Sequence, residues 1–487
     1  MLVLLITGGA YLLVSQLNRA SGRIDAEKKT AAALAQAKEA LIGWAVSNLT
    51  TPGMLPYPDR RNDGDYDGRS DCPAAGIPTS AGLLLGKIPQ IGPEAPCLVP
   101  WTALNLDVVD GAGEVLWYAV SRNMVSALGV APVINPDIMN TPPFPWLVVR
   151  DQTGAIINNR VAFVLIAPGS PLPGQNRSGA APTPIQFLEG IGAVTNADSD
   201  GNYDGGVPAC PSGMCEDFVM SEPWPSATAP TFNDRLLYVT IDELMPLIEK
   251  RVAREARQAL IAYYNASDVV TPANRYFPYP ANFGYQGGQS CVNTNRSGFL
   301  PMSICTCTCS GTNCTCNCTG RGTILAPSGS GPFTSTTGGC VGTSSNMCNC
   351  NSIGTCTTSA SGSVPLCAHP LLPNFPAWFT TNDWGRFIYY AVGNDCILSS
   401  RGCDSLNPLD FLSVGPTTNI NAVVISTGRV LTGTACSTGP HPIQTRPSTN
   451  TCDYLDTVEN TDGPPNFTPV GQLLTNIFND QAVIVSP

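Results

Sequence analysis

Apolar positions open the chain without interruption. The stretch MLVLLITGGAYLLVSQL runs without a charge until Asn18-Arg19. At 1.5 Å per residue it spans about 26 Å, marginal against a hydrocarbon core of about 30 Å. The pattern then shifts to helical spacing: Ile24, Ala31, Leu34, Leu41, Ile42 and Ala45 on one face, with Lys28, Lys29, Lys38 and Glu39 on the other. No proline intervenes before Pro52, so both runs read as one helix reaching Asn48, about 70 Å long. The run lacks the basic start and small-x-small site of a removable signal, so it is expected to stay in the finished molecule. A signal remnant is the alternative. A second helix is expected over 241–265, with Leu244, Leu247, Ile248, Val252, Ala256 and Leu260 as its apolar stripe and charges throughout. The β-branched and aromatic runs 161–166 and 422–425 read as core strands. The stretches 118–120 and 390–392 fit either a strand or a short helix.

The patterns repeat. KEALIGWAVSN (38–48) matches RQALIAYYNAS (257–267), and LPYPD (55–59) matches FPYPA (277–281). The stretch 99–123, ending LWYAVSRN, pairs with 372–395, ending IYYAVGND. VAFVLIAPG (161–169) pairs with INAVVISTG (420–428), FLE (187–189) with YLD (454–456), and FNDRLLYV (232–239) with FNDQAVIV (478–485). Six pairs in one order indicate two copies of one module. The expected organisation is a leading helix over 1–48, a first β-rich head over 49–240, and a duplicate over 241–487 carrying a cysteine-rich insertion at about 300–367. The second helix keeps the half that supports a head and has no lipid-soluble half. The leading apolar run is therefore additional to what the module needs, which points to anchorage or assembly.

Composition narrows the class. The 487 residues hold 47 Gly and 44 Pro, only 13% are charged, and the net charge is −11. Turn-rich β structure follows, and nucleic acid is excluded as a partner. Twenty cysteines with only two histidines exclude c-type haem and leave little for a histidine base. No nucleophile elbow, zinc-protease or phosphate-loop motif occurs, so the chain is not expected to be an enzyme. Local pairs Cys72/Cys97, Cys210/Cys215, Cys396/Cys403 and Cys436/Cys452 read as disulfides of an exported protein. The remaining twelve, from Cys291 to Cys367, lie among Ser, Thr, Gly and Asn, which build no apolar core. Cross-links are expected to order a protruding loop there. A soft-metal thiolate site, which the alternating Cys-x-Cys spacing resembles, is the alternative.

Two acidic stretches share one spacing: Asp63, Asp65, Asp67 and Asp71 around Gly68, and Asn196, Asp198, Asp200 and Asp204 around Gly201. Alternating oxygen ligands on a tight turn suit structural calcium, although Ala74 and Val207 stand where a bidentate Glu would complete each site. The other reading is a polar turn bonded to its own backbone.

The opening 47 residues, the following PGMLPYPD and the later LWYAVS together resemble the type IV pilins and pseudopilins, and within them large prepilin-like proteins of Gram-negative bacteria. The resemblance covers mainly residues 1–125. It departs at position five, where Leu5 stands in place of the family's usual Glu, so chemistry that depends on that Glu is not carried over. The resemblance implies an α+β fold: a long N-terminal hydrophobic helix followed by two tandem modules, each a helix packed on an antiparallel sheet, with long disulfide-stapled loops. It implies a structural subunit, held in the inner membrane before assembly and then displayed at the cell surface. Its partners would be copies of itself or other pilin-like subunits, met through Leu2, Leu4, Leu5, Tyr11, Leu12, Leu13 and Leu17. The alternative is a membrane-tethered, calcium-stabilised adhesin.

Overall fold

The computed structural model describes residues 2–60, 66–71, 84–91, 104, 108–126, 132–178, 182–192, 194–197, 217–221, 231–267, 275–278, 280, 296–300, 302–310, 313–321, 324–325, 333–334, 347–351, 355–357, 365–366, 375–396, 403, 411–446, 448, 450–468, 475 and 477–485. Its description of side chains leaves out 2–20, 302–366 and 395. Two compact units emerge: Met1–Ile134 with Thr141–Met245, and Asn135–Asn140 with Pro246–Pro487.

In the first unit, helix α1 (Leu2–Ser47) packs on a six-stranded sheet. The strands are β1 (Leu85–Lys87), β2 (Trp117–Val120), β3 (Leu147–Asp151), β4 (Ile156–Ala167), β5 (Asp217–Met220) and β6 (Arg235–Thr240). Their order is β1-β2-β4-β3-β5, with β6 also paired to β4. Strand β4 is central because its second half, VAFVLIA, is apolar at every position and buried throughout. Leu34, Leu41, Ile42 and Ala45 of α1 are buried as their spacing predicts, whereas Ile24 and Ala31 are exposed.

The second unit contains α2 (Ile241–Ser267) from Pro246 onward, two short helices, α3 (Ala377–Thr381) and α4 (Val458–Asp462), and an antiparallel sheet. That sheet runs β10-β9-β8-β7, where β7 is Ser297–Phe299, β8 Ile388–Val392, β9 Ala422–Ser426 and β10 Gln481–Val485. Thr240 caps α2, its hydroxyl accepting the Glu243 N–H at 3.1 Å, and Asp242 and Glu243 suit the positive end of the helix. The stripe Leu244, Ile248, Val252, Ala256 and Leu260 is buried, and Leu247 is exposed instead. Leu247 falls at the edge of the stripe, where a helix of 3.6 residues per turn turns away from the core.

The duplication holds down to strand register. Tyr118 stands opposite Leu165, which stands opposite Leu237. Tyr390 stands opposite Val424, which stands opposite Val483. These two triplets are equivalent under the repeats read from the sequence. Gly86 beside Tyr118 and Gly298 beside Tyr390 extend the equivalence to β1 and β7. Both tyrosines donate to a proline carbonyl of the Pro-Tyr-Pro turn, Tyr118 to Pro56 at 3.1 Å and Tyr390 to Pro278 at 2.9 Å. The stretches 118–120 and 390–392 are thus strands.

The expected fold class needs correction. The fold is mixed α/β, with four α-helices among the described residues and several small sheets. It is not two copies of a helix on one antiparallel sheet. Strands β3 and β5 run parallel, as do Leu412–Val414 and Asn466–Phe467. These strands are two to five residues long, too short for an alternating pattern to reveal them. The cysteine-rich stretch is also no loop. Met302–Ser310, Asn313–Arg321, Met347–Asn351, Thr355–Thr357 and Phe333–Thr334 form a five-stranded sheet, which alternating Thr and Cys favour.

The membrane span is corrected as well. Among the described residues no helix is long and apolar enough to cross a membrane. From Ser21 onward α1 carries Arg23, Asp25, Glu27, Lys28 and Lys29 within two turns, and each such charge costs about 2.5 kcal/mol or more at mid-bilayer.

Candidate functional site

Helix α1 and its duplicate are set differently on their modules. Aligning ALIGW (40–44) with ALIAY (259–263) places Ile241, the first residue of α2, opposite Gly22. Ile241, Leu244 and Met245 in the first turn of α2 are fully buried; these residues belong to the first unit, and α2 joins the second from Pro246. Residues 21–25 of α1 are all exposed, Ile24 to 54%, and the backbone stays helical back to Leu2. From Ser21 on, contact with the rest of the unit is made first at Ala26. Gly111 approaches the Ala26 carbonyl so closely that a Cβ would not fit, its N–H bonds the Thr30 hydroxyl at 2.9 Å, and Arg235 pairs with Glu27 at 3.6 Å. The seven residues expected to serve assembly, Leu2 to Leu17, lie on the helical backbone beyond this packed part, and their side chains lie outside the description.

Each module also contains the same buried polar cluster. In the first, Arg177 donates to the carbonyls of Pro168 (3.3 Å), Gly169 (2.6 Å) and Phe187 (3.2 Å) and to Gln175 Oε1 (2.9 Å). Gln175 Nε2 donates to Glu189 at 2.6 Å. Glu189 Oε2 accepts the Asn233 N–H at 2.9 Å, and Asp234 Oδ2 accepts from the Glu189 N–H (2.9 Å) and the Asn196 amide (3.0 Å). In the second module every partner recurs. Arg446 donates to Thr427, Gly428 and Tyr454 carbonyls and to Gln444 Oε1, at 3.1, 2.7, 3.2 and 3.1 Å. Gln444 donates to Asp456 at 2.8 Å, Asp456 accepts the Asn479 N–H at 2.6 Å, and Asp480 accepts from the Asp456 N–H (2.9 Å) and the Asn460 amide (2.7 Å). Each guanidinium also lies 5.1 Å from an aromatic ring, Phe187 or Tyr454.

The cluster ties three distant segments to the end of the central strand: the turn after it, the FLE or YLD turn, and the FND entry to the last strand. Burial pushes Asp234 well above the usual carboxylate range, and the charge of Glu189 adds to it. Asp480 is raised in the same way by burial and then by Asp456. In each pair, burial and the neighbouring carboxylate favour the protonated form of the aspartic acid. Backbone N–H groups hold the carboxylates from within, so the arrangement locks chain segments and offers no open acid–base pair. The FLE/YLD and FND repeats were visible in the sequence; Gln175, Arg177, Gln444 and Arg446 were missed. Gln-x-Arg ahead of each turn, GQNR against IQTR, was the signal.

The acidic stretches resolve differently. Asp71 is buried and accepts the Arg60 N–H at 2.5 Å, while Asp67 accepts the Arg69 N–H at 2.7 Å. Asp59, beside them, accepts the Gly68 N–H at 2.9 Å and is pushed up to about 8, chiefly by burial. Asn196 belongs to the buried cluster, its Oδ1 accepting the Val219 N–H at 2.8 Å. Asp63, Asp65, Asp198, Asp200 and Asp204 lie outside the described residues. Among the described residues no group of three or more His, Cys, Asp or Glu is placed to hold a metal ion. The described oxygens of Asp67, Asp71 and Asn196 accept from backbone N–H groups.

Cys396 is bonded to Cys403, with Cα atoms 4.4 Å apart, and Cys436 to Cys452, 5.6 Å apart. Cys72, Cys97, Cys210 and Cys215 lie outside the description. No protein-family model, curated protein or solved structure matches the chain.

Proposed function

We propose that the chain is an exported structural subunit of a pilin-like filament or pseudopilus, joined to copies of itself or to related subunits through the N-terminal part of α1. The observation that carries this reading is the mismatch between duplicates. Helix α2 begins five residues before its unit does, while α1 continues about twenty residues, or about 30 Å, further in the N-terminal direction than the position aligned with the start of α2. A module that folds with the shorter helix has no need of the extension for its own core. Apolar residues there, Leu2 to Leu17, suit lateral packing between helices, each buried Leu contributing about 1.5–3 kcal/mol. The role is structural and not catalytic. The polar clusters support it by keeping each head rigid.

The test is site-specific photo-crosslinking from Ile24 in the full chain expressed in its host, followed by electrophoresis and electron microscopy of material sheared from the cell surface. Subunit ladders together with fibres carrying the protein are expected. Single particles with no crosslink from Ile24 would overturn the reading.

A further inference from the structure

The register of the cysteine-rich sheet sets cysteine against cysteine. In the hairpin Met302–Ser310/Asn313–Arg321, Cys305 stands opposite Cys318, Cys307 opposite Cys316 and Cys309 opposite Cys314. On the next strand Cys350 stands opposite Cys314 and Cys348 opposite Cys316, and beyond it Cys356 stands opposite Cys350. Alternation along each strand puts all nine on one face. The other face carries Thr306, Thr308, Thr315, Asn317 and Asn349. The nine fall in rows of two, three and four across the strands. Cys314, Cys316 and Cys350 each have two cross-strand cysteine neighbours, so the register alone leaves the pairing open.

Hydrogen-bond alternation closes it. Two residues connect the hairpin, and such a connection closes on a hydrogen-bonded pair, here Ser310 and Asn313. Pairs alternate from there, so all three cysteine pairs of the hairpin occupy non-hydrogen-bonded positions, the class in which Cα atoms stand about 4.5 Å apart. A residue whose N–H and C=O point away from one neighbour points them at the other. Cys314/Cys350 and Cys316/Cys348 are therefore hydrogen-bonded pairs at about 5.5 Å, and Cys350/Cys356 returns to the close class.

We infer that this sheet is closed by four cross-strand disulfides, Cys305–Cys318, Cys307–Cys316, Cys309–Cys314 and Cys350–Cys356, leaving Cys348 to a partner outside the sheet. The close pairs use eight of the nine cysteines with none claimed twice. Each bridge joins two Sγ atoms and releases two protons and two electrons, which reduce the disulfide of a thiol oxidoreductase to its dithiol. With Thr and Asn on the opposite face, these bonds supply the order that an apolar core supplies elsewhere. The same four bonds rule out soft-metal binding by this face, since no thiolate pair remains on it.

Trypsin separates the question cleanly, because Arg296, Arg321 and Arg386 are the successive cleavage points. The full-length protein, isolated from its host, alkylated without reduction and digested, is expected to release peptide 297–321 unlinked to any other. It should be lighter than its reduced form by about six mass units, one per cysteine hydrogen lost. Fragmentation should show the three nested bridges. The Cys348→Ser variant is expected to release the same unlinked peptide. Alkylation of cysteines in 297–321, its linkage to peptide 322–386, or zinc or copper bound in stoichiometric amount to the isolated protein would each overturn the assignment.

Discussion

Arg446→Met tests whether the repeated polar cluster holds the second module together. The guanidinium donates to the carbonyls of Thr427, Gly428, Asp453 and Tyr454 and to Gln444 Oε1, at 3.1, 2.7, 2.6, 3.2 and 3.1 Å. Methionine fills a similar volume and donates nothing. Each buried acceptor left without its donor costs about 1–3 kcal/mol, and four carbonyls together would exceed 4 kcal/mol if all stayed dry. Two terms reduce that sum. The arginine is itself lowered below its ordinary value by burial, so its removal recovers desolvation free energy, and some carbonyls gain water. A net loss of about 3 kcal/mol remains. Loss of the cation also leaves Asp456 and Asp480 facing each other without their nearest counter-charge, which raises both further. Urea unfolding followed by tryptophan fluorescence reads the change, since Trp378 and Trp384 are buried in this unit. Arg177→Met, which removes the equivalent bonds in the first module, is expected to destabilise by a similar amount. A loss under about 1 kcal/mol in both variants would refute the view that the cluster locks the modules.

Glu249 is buried on α2, accepts from Gln481 Nε2 at 2.8 Å, and is pushed up to about 8, chiefly by burial. The native state therefore keeps a proton that the unfolded chain releases near pH 4. The contribution of this group to stability is full below about pH 4, falls as pH rises to about 8, and is level above that. Glu249→Gln should flatten this part of the pH profile and stabilise the protein by a few kcal/mol at pH 8, checked by urea midpoints at pH 5 and pH 8. Gly428 has φ +54 and a Cβ there would fall inside the Asn479 amide, while at Gly169, φ +62, the Asn233 amide stands 3.0 Å away. Gly428→Ala should lower the thermal midpoint more than Gly169→Ala, each by at least the strain of about 1 kcal/mol.

How much could be read beforehand depended on how local each signal was. The second helix was expected over 241–265 and runs to Ser267, and the pairing of LWYAVS with IYYAVG anticipated the shared register of Tyr118 and Tyr390. Those signals sit within a few consecutive residues. The cluster around Arg177 brings together residues as far apart as Gly169 and Asp234, and apolar periodicity is blind to polar side chains that meet only in the fold. Ile24 fits the apolar stripe of α1 yet is exposed, lying before the contacts at Ala26, Glu27 and Thr30; Ala31 is exposed within the packed part, so helical spacing fixes a face only to within a residue or so. Composition misled at 302–321, where Ser, Thr and Asn suggested a loop although Cys-x-Cys-x-Cys already alternated with the period of a strand.

The two copies show which parts of the module tolerate addition. Leu172 donates its N–H to Gln175 Oε1 across two residues, Pro173 and Gly174; Leu431 makes the same bond to Gln444 at 3.0 Å across an inserted twelve-residue hairpin, Thr432–Cys436 and Gly439–Ile443. The hairpin enters without breaking the cluster because it leaves and returns at the two ends of that one hydrogen bond. Its disulfide, Cys436–Cys452, then ties it to the segment that the cluster already fixes. The extension of α1 and the cysteine-rich sheet likewise add to the module at points that the cluster does not use. Substitutions therefore sort into two groups by mechanism: those in the cluster unfold a head, and those in the additions change what the head is joined to while its unfolding midpoint stays put. Ile24→Asp is the sharpest case of the second kind. Ile24 is 54% exposed and distant from every cluster residue in sequence, so a charge there leaves urea unfolding of the lone chain unchanged. If α1 packs against neighbouring helices, the same charge abolishes fibres in sheared surface material, since burying it unpaired costs several kcal/mol per contact.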